Sequence, residues 1–468
     1  MFQLFTEWKK KRLALILMGL GISIVIFVSF VYSDVTETTR HGITFWNVLF
    51  QGRLNEFYTQ NENIVISEQF GVSLAAIYDF PLYLLFAVWD IPLWIYEKIS
   101  GSYALDTWIG LLYAKSISVP FITGIIYYLK KIGYRLNGKD FETDLSILML
   151  LSSALFFVPV LIMGQYDAPA LLFMLIGLYG YMENNDKMFF VWFAAALTFK
   201  MFALFVFLPL VLLREKRITN ICISLSKGCS FLILTKIIQK VFFVSAQSET
   251  SDLSGHFLSF LFQSQIGFVY GSISIFFAAF LMVCMYCYFI KKPEETEMGR
   301  WAVYVSFMGL GVFFITSLTH PQWSLLLLPF GILLVCSDEK RYINTGLWTD
   351  TIFSTGLLLA EVIYYSWVFN VKTGIYMMAG RFFYQGEKEA GYSIRDFLAE
   401  HMEDFPVEYL QLIGGSIFTA GILFFLYWEH PKTSRNGFAE LEVSVESIIV
   451  VRFVLIMIAA AMLLRIAW

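Results

Sequence analysis

The chain reads as an all-α polytopic membrane protein of about eleven to thirteen transmembrane helices, and three observations lead there. Hydrophobic residues fill 58% of its 468 positions and charged residues only 15%, against roughly 45–50% and about 25% in soluble domains. Long apolar runs recur along the whole chain. Lys and Arg gather on alternate connections between those runs, as the positive-inside rule requires. Such composition excludes a soluble enzyme, a disordered chain and a nucleic-acid binder, and a net charge of −4 leaves no polybasic character. Aromatic residues reach 18%, which suits lipid-facing surfaces and interfacial belts.

Candidate spans lie near 13–33, 107–130, 145–163, 168–182, 188–199, 201–213, 221–244, 268–290, 301–318, 323–336, 345–368, 409–428 and 446–466. The first follows Lys9, Lys10, Lys11 and Arg12. Its apolar run is too long for a signal-peptide core and no A-x-A site follows it, so it is expected to stay as the first helix. With the N-terminus in the cytoplasm, segments 1–12, 130–144, 183–187, 214–220, 291–300, 337–344 and 429–445 face the cytoplasm and hold 19 Lys and Arg. The external segments 34–106, 164–167, 245–267, 319–322 and 369–408 are longer and hold 7. This bias forces a break inside 188–213. One continuous helix would put Arg214, Lys216 and Arg217 outside, whereas two short helices meeting near Lys200 keep them inside. Residues 72–99 are apolar yet must belong to the first external loop, 34–106. Pro81 and Pro92 interrupt any clean span there, so helices in or dipping into the interface are expected, with Trp89 and Trp94 at headgroup level. The five cysteines sit in or beside apolar runs, and neither a disulfide nor a Cys metal site is expected.

The polar residues then fall at one boundary. Asp34, Glu37, Arg40 and His41 follow the first helix, and Tyr78 and Asp79 lie in the same loop. Gly164-Gln165-Tyr166-Asp167 and His320-Pro321-Gln322 make tight external turns, Lys200 marks the break, and Glu361 lies in the outer half of a helix. Arg381 and Arg395 sit in the loop 369–408. Each has a plain structural role open to it. Gln165 and Asp167 could cap the next helix, Lys200 could snorkel, and His320 could be an ordinary turn residue. Lys236 and Lys240 are expected to face a groove or snorkel outward, and Arg452 to pair within the bundle. The joint occurrence of carboxylates, cations and broken helices on one side points to chemistry. No P-loop, H-E-x-x-H or G-x-S-x-G motif is present. A carboxylate base with cations for a phosphate remains, a set suited to moving a sugar from a lipid phosphate to a hydroxyl.

Read in order, these residues resemble the GT-C superfamily, the multi-spanning glycosyltransferases that use polyprenyl- or dolichyl-phosphate sugars. Ser33-Asp34-Val35 opens a long external loop, and Tyr78-Asp79-Phe80-Pro81-Leu82-Tyr83 resembles the aromatic–Pro–Leu–Tyr segment of the glucosyl- and mannosyltransferase members, with one Pro where those carry two. Gly164-Gln165-Tyr166-Asp167 resembles the Gly-Gln turn with a nearby Asp, Lys200 with Pro209 a Lys-to-Pro helix, and His320-Pro321-Gln322 a His-Pro turn. The resemblance covers about 1–340 as a catalytic transmembrane module and leaves 341–468 as a variable C-terminal part. It implies an inverting, metal-independent transfer with no cofactor and with Asp34 as catalytic base, Asp79 being the second choice. Lys200, His320 and Arg381 would hold the donor phosphate. Asp79, Tyr78, Gln165, Asp167 and Gln322 would contact sugar or acceptor.

The implied partners are a polyprenyl-phosphate-linked sugar donor, a glycan or glycolipid acceptor and membrane lipids, with no nucleic acid and a monomeric chain. The implied setting is a bacterial plasma membrane, or the endoplasmic reticulum membrane of a eukaryote, with the site extracytoplasmic or lumenal. The short spans 188–199 and 201–213 would leave a lateral groove for the isoprenoid tail. Two other readings stand beside this one. A transporter or flippase of polyprenyl-linked substrates would cluster Lys115, Lys227 and Lys236 around a midplane cavity. A polysaccharide polymerase or ligase of another fold would rely on an Arg-rich external loop such as 369–408.

Overall fold

A computed structural model describes residues 2–467 apart from 69, 73–74, 245–258, 270, 371–374, 379–391, 403–404, 436 and 439. The fold is predominantly helical, and the six short strands among the described residues pair into three two-stranded ribbons. Five helices are long and apolar enough to cross a membrane: Lys10–Ser29, Trp108–Asp140, Glu295–Thr316, Val407–Glu429 and Val445–Ile466. Two bent pairs, Thr143–Leu151 with Ala154–Met163 and Ile218–Gly228 with Ser230–Phe242, raise the number to seven if each is one span. The other expected spans include shorter apolar helices such as Ala168–Met182, Met201–Arg214, Ile275–Phe289 and Pro321–Cys336. A helix of fifteen residues covers only about 22 Å of a core near 30 Å, so these do not qualify singly. The count of eleven to thirteen depended on including them.

Most element boundaries follow the apolar runs; the expected span 268–290 instead opens in a strand hairpin and is helical only over Ile275–Phe289. The break expected near Lys200 is present: one helix ends at Phe199, Lys200 is extended (φ −150°, ψ 121°), and a 3-10 turn from Met201 to Ala203 leads into Leu204–Arg214. Pro209 lies inside that last helix. Its ring denies the Phe205 carbonyl the usual helical partner, and a Cβ at Gly309 would sit 2.0 Å from that oxygen. Glycine there lets the Glu295–Thr316 helix approach against the proline.

Ion pairs divide the bundle into two ends. At one end Arg12 meets Glu142 at 2.8 Å and Glu446 at 3.3 Å. There too Arg135 meets Glu183, Arg214 meets Asp186, and Arg300 and Arg435 share Asp338 and Glu429. All of these come from segments expected in the cytoplasm or at its edge. At the other end Arg40 pairs with Glu97, Lys200 with Asp167 and Arg395 with Glu408. No ion pair among the described residues joins the two sets. Arg452 lies between them, buried, bound to Asp350 and to Ser152 Oγ at 2.9 Å, as the expected pairing within the bundle required.

The first loop is structured. Ser33–Phe50 is a helix, and Phe80–Trp89 and Ile91–Ser100 are short helices, each with its proline in the first turn where no helical N–H is lost. The first of these short helices crosses the Ser33–Phe50 helix closely at Gly42, where a Cβ would lie 3.0 Å from the Phe86 carbonyl carbon. Trp46 Nε1 donates to the Ala87 carbonyl at 2.7 Å. Trp89 Nε1 donates to Tyr113 O at 3.1 Å and Trp94 Nε1 to Asn47 Oδ1 at 3.0 Å, so both indoles expected at headgroup level are held by protein.

Candidate active site

The site assembles where four separate segments meet at the end opposite Arg12. The opening helix stops at Ser29. Phe30–Tyr32 runs extended and pairs antiparallel with Ile375–Met377, and Ser33–Phe50 then begins. Asp34 therefore lies in the first turn of a helix, where the N-terminal dipole favours a carboxylate. Gln165 is carried by a second device. Phe157–Met163 forms a π-helical turn that ends on Gly164 in the left-handed region (φ 70°). A Cβ at Gly164 would sit 2.5 Å from Lys115 Cγ, so the turn needs glycine twice over.

Lys115 is the post between these two devices. Its buried ammonium donates to the Phe27 carbonyl at 2.8 Å, to the Leu161 carbonyl at 2.6 Å and to the Phe30 carbonyl. It thereby ties the end of the opening helix to the turn that carries Gln165. Gln165 Nε2 in turn donates to Asp34 Oδ2 at 2.8 Å. Asp167, two residues on, is fully buried and pairs with Lys200 Nζ at 2.7 Å. The Lys200 ammonium also lies 5.2 Å from the ring centres of both Tyr78 and Tyr166. The result is a cation held between two aromatic faces and one carboxylate.

Charge states follow from this packing. Burial raises the Asp34 carboxyl above its ordinary value, while the Gln165 hydrogen bond and the Lys200 charge pull it partly back. Glu37, one turn further on the same helix, is pushed up to about 8 by burial and by the charge of Asp34. Asp167 is also raised by burial, against the pull of Lys200. His320 is lowered to about 4 by burial and by Lys200. It stacks on Tyr365, with ring centres 5.3 Å apart, and meets Trp323 at 4.8 Å. His320 was expected as a phosphate-binding cation. In this packing it is neutral at pH 7, able only to offer a neutral N–H, and Lys200 is the cation of the cluster.

The remaining expected residues separate. Tyr78 is in the cluster, its ring 5.3 Å from that of Tyr166. Asp79 turns to Lys236 at 2.6 Å, so Lys236, expected to face a groove or snorkel outward, ends on a carboxylate of the first loop. Gln322 is buried in the Pro321–Leu326 turn, and no described contact joins it to Asp34. Arg381 lies outside the described residues. Glu37, Tyr166 and Lys115 were not expected at the site. The i, i+3 spacing of Asp34 and Glu37 was a visible signal for the first. Among the described residues no group of three His, Cys, Asp or Glu side chains could hold a metal ion.

A lateral groove of about 650 Å³ runs between the Asp186–Phe199 helix and the bent pair 218–242, lined by Phe190, Val191, Ala194, Ile223 and Phe231. It continues into a cavity of about 330 Å³ beside Asp186 and Arg214. The opening expected along 188–199 thus lies toward the Arg214 end. Phe190 is ten residues from Lys200, a rise of about 15 Å along a helix. In comparison with known proteins, no family model matches the chain and no curated sequence matches it.

Proposed function

We propose that the chain is an inverting glycosyltransferase that moves a sugar from a polyprenyl-phosphate donor to an acceptor hydroxyl, working on the extracytoplasmic or lumenal side. The observation that carries this reading is the meeting of Asp34, Gln165, Asp167 and Lys200 from three distant stretches of chain. Asp34 accepts the proton of the acceptor hydroxyl as its oxygen attacks the anomeric carbon. The bond from that carbon to the phosphate oxygen breaks in line, and the configuration inverts. Lys200 meets the charge that develops on the departing phosphate, and the neutral His320 adds an N–H donor. Gln165 orients Asp34, and a raised pKa makes that carboxylate a stronger base. The reading takes the full set of eleven to thirteen apolar helices as the membrane body, 1–340 as its catalytic part and a bacterial plasma membrane as its favoured setting.

Transport is less well supported. Lys115 is spent on backbone carbonyls, Lys236 is paired with Asp79, and Lys227 lies on the lateral groove, so the three do not cluster at a midplane cavity. The test is an assay of purified protein against a panel of polyprenyl-phosphate sugars, with linkage analysis. Release of free polyprenyl phosphate with an inverted glycosidic product supports the reading. Movement of intact donor across a sealed liposome without product overturns it.

A further inference from the structure

Beyond the cluster around Asp34, the same end of the bundle carries a two-stranded hairpin whose apolar side chains are largely exposed. Gln265–Phe268 pairs antiparallel with Gly271–Ser274, Ile266 facing Ile273 and Phe268 facing Gly271. Alternation along both strands puts Ile266, Phe268 and Ile273 on one face and Gln265, Gly267, Ser272 and Ser274 on the other. The apolar residues stand in the open: Ile266 is 55% exposed, Phe268 59%, Ile273 44% and Val269, at the turn, 83%. A water-soluble surface rarely leaves such a patch uncovered.

We propose that this hairpin is a membrane-interface anchor, its apolar face set into the acyl boundary of the leaflet at the Asp34 end. Three observations select lipid rather than a protein partner. First, the hairpin runs straight into the Ile275–Phe289 helix, whose outward residues Phe277, Leu281, Met282, Met285 and Phe289 are likewise exposed, so the two surfaces form one continuous apolar stripe. The corner between them is fixed, because Ser274 Oγ donates to Leu261 O at 2.8 Å and accepts from Phe277 N at 3.2 Å. Second, that helix has 15 residues, about 22 Å against a core of roughly 30 Å. A strand of four residues adds about 13 Å. The open strand edges cannot enter hydrocarbon without stranding N–H and C=O groups, which seats the hairpin at the interface. Third, no Asp, Glu, Lys or Arg occurs from Phe257 to Ile290. The face therefore has nothing with which to recognise a charged partner, and its seating is independent of anionic lipid.

The anchor reaches the candidate site through Phe260, whose ring lies 5.5 Å from that of His320. The hairpin would hold His320 at a set depth whatever reaction Asp34 serves. The test places a nitroxide at Phe268→Cys, Ile273→Cys or Ser272→Cys in full-length protein with Cys222 and Cys229 replaced by Ser, reconstituted in nanodiscs. Labels at 268 and 273 should relax several-fold more with oxygen than with an aqueous nickel chelate, and the label at 272 the reverse. The pattern should be the same in phosphatidylcholine and in phosphatidylglycerol nanodiscs. Equal access of nickel to 268 and 272 overturns the proposal, as does shielding of 268 and 273 from both reagents, which would mean a protein covers the face.

Discussion

Asp34 and His320 show how burial rewrites what a residue type promises. Each was visible as a polar group at the edge of an apolar run, but its charge state depends on what surrounds it. For His320 those neighbours are Trp323, three residues on in the same turn, and Tyr365 and Lys200 from other parts of the chain. With its pKa near 4, His320 does not titrate between pH 6 and 8. NMR titration of the labelled imidazole should show no proton uptake in that range, and an inflection near the ordinary value of about 6.5 would contradict the packing described. Glu37 gives a second pH signature. Its folded pKa, about 8, is above its unfolded value of 4.5. The folded state therefore holds the proton more tightly. That stabilising contribution is complete below pH 4.5 and is lost as pH rises through about 8. Between pH 6 and 9 the wild type should lose more thermal stability than Glu37→Gln, by roughly 2–5 °C in detergent. Equal losses would remove Glu37 from its half-buried place beside Asp34.

At the scale of elements, much was readable and the reasons are specific. Most helix ends followed the apolar runs, except at 268–290, where alternating apolar and small polar residues make a hairpin before Ile275, and the break at Lys200 followed from where Arg214, Lys216 and Arg217 had to lie. The order Asp34, Gln165, Lys200 was legible because each sits at the edge of an apolar run. Partnerships across the fold were not. Lys236 meets Asp79 157 positions away, and the three carbonyls bound by Lys115 leave no mark in the sequence because every residue has one. Lys115 is expected to be the structural post of the site. Lys115→Met should cost about 3 kcal/mol, since it strands buried carbonyls, and should lower turnover by separating Asp34 from Gln165. Gly164→Ala should be destabilising as well, through the left-handed turn and the 2.5 Å approach to Lys115. Denaturation in detergent checks both, and a neutral Gly164→Ala would mean the turn relaxes freely.

For the whole molecule, the sorting of ion pairs into two ends matches the Lys and Arg bias along the chain. Cysteines introduced at Lys139 and at Gln60 should label from opposite faces of an intact membrane with an impermeant maleimide, Gln60 from outside. Labelling of both from one face would break the topology. In the proposed reaction Asp34 is the base for a hydroxyl attacking a membrane-held sugar phosphate. Its most direct test compares wild type and Asp34→Asn in both turnover and binding of a polyprenyl-phosphate sugar. Donor binding should be unchanged while turnover falls by about 10²-fold or more; normal turnover by Asp34→Asn would show that Asp34 is not the base.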